Sequence, residues 1–284
     1  MTQKDFVLTL ACPDRRGIVH HVSGLLLAQN GNILDAQQFG DEQTGRFFLR
    51  VHFALDDPNG IGALRSALTA SETTFDLQWQ IHDLSKKSRL LIMVSKQGHC
   101  LNDLLFRTQS GQLPVEIAAV VSNHPDFGAL TQSYGVPFHH LPVTPETKPA
   151  QERQILELIQ AQNVDLVVLA RYMQILSTDL CRALSGRAIN IHHSFLPSFK
   201  GARPYHQAHA RGVKIIGATA HYVTEALDEG PIIEQDIERV DHAMTSDDLS
   251  QVGSDVESLV LSRAVRSHVE HRILLNGTRT VVFR

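Results

Sequence analysis

Cysteine is scarce in this chain of 284 residues, which contains Cys12, Cys100 and Cys181. An odd number of cysteines at wide spacings, with no Cys-x-x-Cys pair, argues against a disulfide framework and indicates reduced thiols. Cys100 is expected in the loop after a predicted strand, and a nucleophilic role for it is an alternative to a buried thiol without a role in the chemistry.

Long apolar runs and a signal sequence are missing as well. No run reaches the length of a membrane span, and residues 1–5 lack the basic and apolar regions of a signal peptide. The hydrophobic content of 43% and the formal net charge of -4 are typical of one large or two medium globular domains. Nothing in the composition suggests a nucleic acid or a membrane as a partner, so we expect a cytoplasmic protein.

A zinc-type ligand pattern is missing although five histidines lie close together in the sequence. These are His192, His193, His206, His209 and His221. A zinc hydrolase would need His-Glu-x-x-His or a comparable set with a third ligand, so we expect no metal ion. His206 and His209 have the spacing of one helix face and are expected at an exposed helix start after Pro204. His193 and His221 are expected to line a substrate cleft.

Residues 1–84 carry strand and helix patterns in the order strand, helix, strand, strand, helix, strand. The predicted strands cover residues 6–10, 33–39, 47–54 and 75–82. The first helix is predicted to be capped by Asp14 and to end at Asn30-Gly31, and the second to cover 61–68. This pattern predicts a ferredoxin-like βαββαβ domain with its helices on one face of an antiparallel sheet.

A polar segment at residues 83–88 separates this domain from residues 85–284, which are predicted to form a second domain. Continuous apolar strands are predicted at residues 90–95, 117–122 and 166–170, with helices at 101–108, 128–134 and 151–162. A last helix is predicted from a capping box at 245–248 to near Asn276-Gly277, as scaffold. The pattern predicts a Rossmann-like, mostly parallel sheet.

Ligands of such sheets lie beyond the carboxyl ends of the strands. This rule places four segments around one crevice, namely residues 95–100, 122–125, 171–176 and 190–194. Within it, Asn190 and His192 alternate along an extended segment and point to the same side, so that both can donate to one oxygen. Asp228 is a candidate base, acting on water or through His192, and burial among Leu227, Ile232 and Ile233 is expected to raise its pKa. Alternatively, these are polar residues at a strand end and a turn former.

The stretch from Asn190 through Leu196-Pro197-Ser198-Phe199-Lys200-Gly201 to Asp228 resembles the folate-dependent formyltransferase superfamily. Its members share Asn-x-His and a later Leu-Asp-x-Gly-Pro turn, and the match implies that Asn190, His192 and Asp228 are catalytic. A set of folate-binding residues is also implied: Met173, Gln174, Ile175, Leu176, His221 and Glu225. Alternatively, the apolar members of this set close a βα turn.

The segment from Cys12 to Val19, with Gly31-Asn32-Ile33, resembles the ACT regulatory domain. The resemblance implies side-by-side pairing into a homo-oligomer and an amino-acid effector that contacts Asp14, Gly17 and Asn32. Alternatively, Asp14 caps a helix and Gly17 forms a tight turn. The effector's identity stays open.

The segment Ser95-Lys96-Gln97-Gly98-His99-Cys100 lacks the Gly-Ser-Asn-rich loop with which related transferases cradle an acceptor's phosphate. His192-His193 also replaces the His-Pro of several transferases. These features, with an ACT domain, resemble the branch of the superfamily that transfers the formyl group to water. The implied reaction converts 10-formyltetrahydrofolate and water to tetrahydrofolate and formate, without a cofactor, which supplies formate for purine synthesis and balances the one-carbon folate pool. The alternatives are formyl transfer to an amine and a non-catalytic sensor of folate and amino acids.

Overall fold

The computed structural model describes residues 4–57, 60–197 and 204–284, which form two compact units. The first unit comprises Met1–Lys87, Glu270–Asn276 and Thr280–Arg284, and the second comprises Ser88–Val269 and Gly277–Arg279. The chain thus changes units at Lys87, close to the predicted linker. Glu270–Asn276 and Thr280–Arg284 lie in the first unit, however, so the second unit does not extend over all of the predicted range 85–284.

The first unit contains the predicted order of strands and helices. These elements are β1 (Lys4–Pro13), α1 (Ile18–Ala28), β2 (Asn32–Asp41), β3 (Arg46–Leu55), α2 (Gly60–Phe75) and β4 (Gln78–Asp83). The strands form an antiparallel sheet in the order β2-β3-β1-β4, which confirms the βαββαβ fold. Alternate residues of β1, such as Phe6, Leu8 and Leu10, are buried with Ile18, because side chains of a strand alternate between its two faces.

Helix α1 begins later than the sequence suggested. Its N-cap is Gly17, at a φ of 94°, and no side chain among the described residues caps it. The prediction that Asp14 caps this helix was wrong, whereas the tight turn at Gly17 is confirmed, since the left-handed region favours glycine. Helix α1 ends at Ala28, and Asn30 follows it with a φ of 54°, as the Asn30-Gly31 signal predicts.

The second unit is a sheet with helices between most of its strands. Its first elements are β5 (Ser88–Val94), α3 (His99–Gln109), β6 (Val115–Ser122), α4 (Gly128–Ser133), β7 (Phe138–His140), α5 (Lys148–Ala161) and β8 (Leu166–Leu169). The later elements are α6 (Thr178–Ala183), β9 (Ala188–His192), α7 (Pro204–Ala210), β10 (Ile215–Tyr222), β11 (Ile232–Arg239) and α8 (Ser246–Val269). In the described part of the chain the strands lie in the order β11-β10-β9-β8-β5-β6-β7. The five strands from β9 to β7 pair in parallel, whereas β10 pairs antiparallel with both β9 and β11, which confirms the mostly parallel sheet.

The C-terminal segment folds back as a hairpin of β12 (Ile273–Asn276) and β13 (Arg279–Val282). Helix α8 ends at Val269, so the prediction that it continues to Asn276-Gly277 was wrong. Gly277, at a φ of 62°, is instead part of the hairpin turn. The hairpin buries apolar side chains against the first unit's sheet, and Asn276 donates to Asp41 Oδ2 at 2.6 Å. Burial of this apolar face against the sheet stabilises the hairpin, which would be marginal alone.

Helix length and polarity decide whether a helix can serve as a membrane span. None of the helices in the described ranges is both long and apolar enough to cross a membrane.

Candidate active site

Strand β9 brings the predicted catalytic pair to one cavity. Asn190 and His192 are two positions apart on this strand and both line a cavity of ≈ 340 Å³ in the second unit. Strand β10 runs antiparallel to β9 and places His221 directly opposite Asn190. The side chains of cross-strand partners lie close together, and Asn190 Nδ2 is 3.2 Å from His221 Nε2.

The turn between β10 and β11 adds Asp228 to this pair. Asp228 has a φ of 56°, and its Oδ2 lies 3.2 Å from His192 Nδ1 while its Oδ1 lies 3.7 Å from His221 Nε2. Gly230 allows the turn to pack this closely, because a Cβ atom there would lie 1.7 Å from the Tyr222 carbonyl oxygen. The geometry therefore joins four polar side chains in the order Asn190, His221, Asp228, His192.

The predicted increase in the pKa of Asp228 was wrong. Contacts with His192 and then His221 hold this pKa well below its usual range, against the opposing effect of partial burial. The expected apolar enclosure is incomplete, since Leu227 and Ile232 are exposed. Asp228 is therefore a carboxylate near neutral pH, suited to orienting an imidazole and a poor proton acceptor itself.

The carboxylate determines the tautomer of His192. If Nδ1–H of His192 donates to Asp228, a neutral ring carries its lone pair on Nε2. That Nε2 atom is buried and has no hydrogen-bond partner among the described residues. In this tautomer the ring carries an unprotonated Nε2 atom that can accept a hydrogen bond or a proton. The Nδ1–H of His221, in contrast, donates to the carbonyl of Tyr222 at 2.9 Å.

His193 directly follows β9 and lines the cavity. Its ring packs edge-on against His192, with the ring centres 5.1 Å apart. Burial lowers the pKa of His193 to about 3, and the positive charge of Arg171 adds to this effect. His193 is therefore a neutral ring at physiological pH.

All six predicted folate-binding residues line the same cavity. They are Met173, Gln174, Ile175, Leu176, His221 and Glu225. Met173 and Ile175 are large apolar side chains that are more than half exposed at this cavity. Glu225 also pairs with Arg182 at 2.8 Å. Their part in binding folate stays a prediction.

A second cavity, of ≈ 440 Å³, adjoins the first and reveals a buried carboxylate that the sequence analysis missed. Glu257 on α8 is buried, and its Oε2 lies 2.7 Å from His99 Nε2 and 3.3 Å from Arg171 Nε. Its Oε1 accepts from the Tyr205 hydroxyl at 2.6 Å. Burial opposes the charge on Glu257, but the hydrogen bond from His99 and the charge of Arg171 outweigh it and lower the pKa.

Helix α8, which was predicted as scaffold, thus also lines the second cavity. A signal was present in the sequence, since Glu257 lies on the same face of the helix as Val260, Leu261 and Ala264, where a charge is unusual.

Cys100 is fully buried in the first turn of α3 rather than in a loop. Burial raises the pKa of its thiol, which disfavours the thiolate and hence the nucleophile that was considered. Among the described residues, Cys100, His99 and Glu257 are a group that could hold a metal ion. Arg171 beside the carboxylate makes this a poor cation site, because its charge would repel the ion.

The remaining predicted features of the second unit lie on or near α7. His206 lies exposed on α7 and borders the second cavity, and His209 is exposed on the same helix. Within the motif from Leu196 to Gly201, residues 198–201 lie outside the described residues. Leu196 itself donates its N–H to Thr219 Oγ1 at 3.0 Å, which ties the motif to β10.

The effector candidates Asp14, Gly17 and Asn32 all lie in the first unit. Asp14 follows β1, and its N–H donates to the carbonyl of Gly45 at 2.8 Å. Asn32 begins β2. With its capping role excluded, Asp14 keeps its effector interpretation as a prediction.

The fold and the cluster of Asn190, His192, His221 and Asp228 define a formyl transferase unit that follows a unit of regulatory type. Comparisons with known proteins agree with this description. The formyl transferase family model matches residues 88–265, and the ACT domain model matches residues 6–69. A formyltetrahydrofolate deformylase of Corynebacterium sp. (strain P-1) is 54% identical, over 98% of this chain and 98% of that protein. The crystal structure of formyltetrahydrofolate deformylase from Burkholderia mallei has a TM-score of 0.95 at 52% identity, and covers 99% of this chain and 100% of that chain.

A more distant structure matches a smaller share of the chain. Glycinamide ribonucleotide transformylase 1 from Symbiobacterium toebii has a TM-score of 0.66 at 33% identity, over 70% of this chain and 95% of that chain. The chain belongs to the formyltetrahydrofolate deformylase family.

Proposed function

We propose that the chain hydrolyses 10-formyltetrahydrofolate to tetrahydrofolate and formate, with Asn190, His192 and Asp228 as the catalytic residues. The observation that carries the proposal is the Asp228 carboxylate at 3.2 Å from Nδ1 of His192, whose Nε2 is buried without a partner among the described residues. His192, Asp228 and Asn190 then supply the base, the orienting group and the oxyanion donor of an acyl transfer to water.

His192 acts as the base rather than Asp228. Because Asp228 accepts the Nδ1–H, the Nε2 atom of His192 takes a proton from water as the water oxygen attacks the formyl carbon. The new C–O bond forms while the carbonyl electrons move to its oxygen. General bases of this kind contribute roughly 100 to 10,000-fold to a rate. The weakly basic Asp228 carboxylate then stabilises the imidazolium.

Asn190 stabilises the tetrahedral oxyanion. One hydrogen of its amide faces His221 Nε2 at 3.2 Å, which fixes the amide plane and leaves the other hydrogen for the oxyanion. His192 then returns its proton to the leaving N10 atom. The C–N bond breaks and its electron pair stays on nitrogen, which releases formate and tetrahydrofolate.

The folate lies in the first cavity, with its pterin against the backbone of the segment from Met173 to Leu176. The half-exposed apolar side chains of this segment and of Leu227 support this placement, since a flat aromatic ring would cover them. The imidazole of His221 and the carboxylate of Glu225 line the same wall and offer polar contacts.

The reaction uses no metal ion or other cofactor, because a histidine base and an amide donor suffice for attack on a formyl amide. Among the described residues, His99, Cys100 and Glu257 could together hold a metal ion, but the adjacent Arg171 guanidinium repels a cation there. Activity that survives a strong chelator supports this part of the proposal.

The ACT unit binds an amino acid effector at Asp14, Gly17 and Asn32, and pairs with the same unit of another chain. The match of the ACT model to residues 6–69 supports a regulatory role of this kind. An effector would act by binding one state of the enzyme better than another.

The test is to incubate the protein with 10-formyltetrahydrofolate, with and without amine acceptors, and to measure formate and tetrahydrofolate. We expect equal amounts of the two products without any amine. Formyl transfer that requires an amine would favour the transferase alternative, and substrate binding without turnover would favour a sensor.

A further inference from the structure

Helix α5 carries two polar side chains on its buried face. Gln151 is 5% exposed and Glu152 is 8% exposed, and they share this face with the apolar Ile155 and Ile159. Neither polar side chain belongs to the described residues that line the two cavities. Burial of a polar group is costly unless the group is hydrogen-bonded, so the partners of these two side chains indicate what they do.

Both side chains bind the segment from Tyr172 to Ser177, which runs between β8 and α6 without forming a helix or a strand. Gln151 Nε2 donates to the Tyr172 hydroxyl at 2.8 Å and to the carbonyl of Leu141 at 3.1 Å. Glu152 Oε1 accepts the backbone N–H of Ser177 at 2.9 Å. Helix α5 thus holds the first and the last residue of this segment.

A third side chain holds the segment near its first residue. The backbone N–H of Met173 donates to Ser95 Oγ at 2.9 Å, and Ser95 in turn donates to Asn123 Oδ1 at 2.7 Å. Side chains from other elements therefore bond backbone amides near both ends of the segment. Ile175 lies between these two points and is 62% exposed at the first cavity. A surface that is fixed before its ligand arrives loses less conformational freedom on binding.

The bond from Glu152 also fixes the start of the next element. Ser177 is the N-cap of α6, where its Oγ accepts the N–H of Leu180 at 3.2 Å and its carbonyl accepts the N–H of Cys181 at 2.9 Å. Cys181 itself lines the first cavity. Lys148, one turn before Glu152 on α5, lies 4.0 Å from the carboxylate and offsets its charge. One side chain thus orients two adjoining parts of the cavity wall.

We propose that Glu152 is a positioning residue for the folate substrate. Its hydrogen bond to Ser177 fixes the end of the Tyr172–Ser177 segment in the conformation that binds the folate ring. The inference rests on the proposed function, which places the pterin against this segment. Without the bond, the ligand has to order the segment as it binds, so affinity falls. The chemical step is unaffected, because the proposed catalytic residues lie on β9 and in the turn between β10 and β11.

Two substitutions of Glu152 test the proposal. Glu152→Ala removes the acceptor, whereas Glu152→Gln keeps an oxygen that can accept the N–H of Ser177. Glu157→Ala is the matched surface control, since it removes an exposed carboxylate from the same helix. Ile159→Ala is the stability control, because it opens a cavity in the core about two turns further along α5. Each protein is assayed for tetrahydrofolate binding at equilibrium, for KM and kcat of formate release, and for melting temperature.

We expect Glu152→Ala to raise the Kd for tetrahydrofolate and the KM about tenfold, with kcat within about twofold, as for the loss of one hydrogen bond to a charged group that acts on binding alone. Glu152→Gln should stay within about threefold of the unmodified chain, since a neutral acceptor is weaker but still present. Both controls should leave Kd unchanged. An unchanged Kd in folded Glu152→Ala would overturn the proposal, as would equal weakening by Glu152→Gln or by Ile159→Ala.

Hydrogen exchange at the Ser177 amide decides the matter if Glu152→Ala does not fold. The proposal requires this amide to be protected in the unmodified chain without ligand, and exchange at the rate of an unfolded peptide would overturn it. Tetrahydrofolate binding is measured without turnover. A chain that binds tetrahydrofolate but releases no formate would therefore refute the proposed hydrolysis, whereas an unchanged Kd in Glu152→Ala would refute the role of Glu152.

Discussion

Asp228 Oδ2 lies 3.2 Å from Nδ1 of His192, and this contact favours one of the two roles expected for the carboxylate, acting through His192 rather than on water. Contacts with His192 and then His221 hold the pKa of Asp228 well below its usual range, so the carboxylate keeps its charge and does not take up a proton near neutral pH. In the proposed mechanism the base is then the far nitrogen of His192, Nε2, which is buried at the cavity.

Asp228→Asn is expected to lower kcat by about 1,000-fold or more while leaving folate affinity within a few-fold, since an amide can hold the wrong tautomer of His192. Turnover is measured by formate release and affinity by equilibrium binding of tetrahydrofolate. Glu225→Gln is the control, because Glu225 lines the same cavity but contacts Arg182. Near-normal turnover in the asparagine variant would remove Asp228 from the mechanism.

Asn190→Ala should lower kcat by roughly 100 to 1,000-fold with little change in KM, because an oxyanion donor acts mainly in the transition state. His192→Ala should cost at least as much. The double variant should lose less than the product of the two factors, since both residues serve one tetrahedral intermediate. Fully multiplicative losses would assign the two side chains to separate steps.

The buried His193 should make the protein sensitive to acid. The unfolded chain binds a proton at this ring below pH 6.5, whereas the folded ring stays neutral down to about pH 3. Acidification between these values therefore favours unfolding, with a slope approaching about 1.4 kcal/mol per pH unit for this group. His193→Asn should flatten the fall in unfolding free energy between pH 6 and 4, as measured by urea denaturation.

His209→Asn, at an exposed position of α7, is the matched control and should leave that slope unchanged. Identical slopes in the two variants would show that His193 does not carry the effect.

A strong chelator should leave formate release unchanged, because a histidine base replaces metal-bound hydroxide in the proposed mechanism. The assay compares the chelated protein with the same protein after addition of zinc. Loss of activity that zinc restores would direct attention to His99, Cys100 and Glu257.

Deletion of the first unit should leave a soluble second unit only if the C-terminal residues that belong to the first unit are deleted as well. A fragment of residues 88–269 should stay soluble and keep the chemistry, although it loses any effector response. A fragment of residues 88–284 should aggregate, because the hairpin exposes Leu274, Val281 and Phe283, which the first unit's sheet otherwise buries. Light scattering and formate release check both fragments, and equal solubility of the two would contradict the division into units.

The sequence alone was sufficient for the folds of both halves and for the proposed catalytic residues. Alternation along β1 and the continuous apolar strands of the second half are local patterns, and they predict sheets because side chains of a strand alternate in direction. The same rule predicts that Asn190 and His192 share one side of β9, and both side chains do line the first cavity. The Leu227 to Pro231 turn identified Asp228 by its motif.

Only the tertiary structure determined the charge of Asp228, the hydrogen-bond partners of Glu257 and the residue at which α8 ends. A pKa depends on which groups surround a carboxylate in space, and the histidines beside Asp228 come from two neighbouring strands. Glu257 meets donors from three other elements, which helical periodicity cannot reveal. The apolar run after Val269 is compatible with a longer helix or with a strand, and burial against the first unit's sheet selects the strand because Leu274 and Phe283 find apolar partners there.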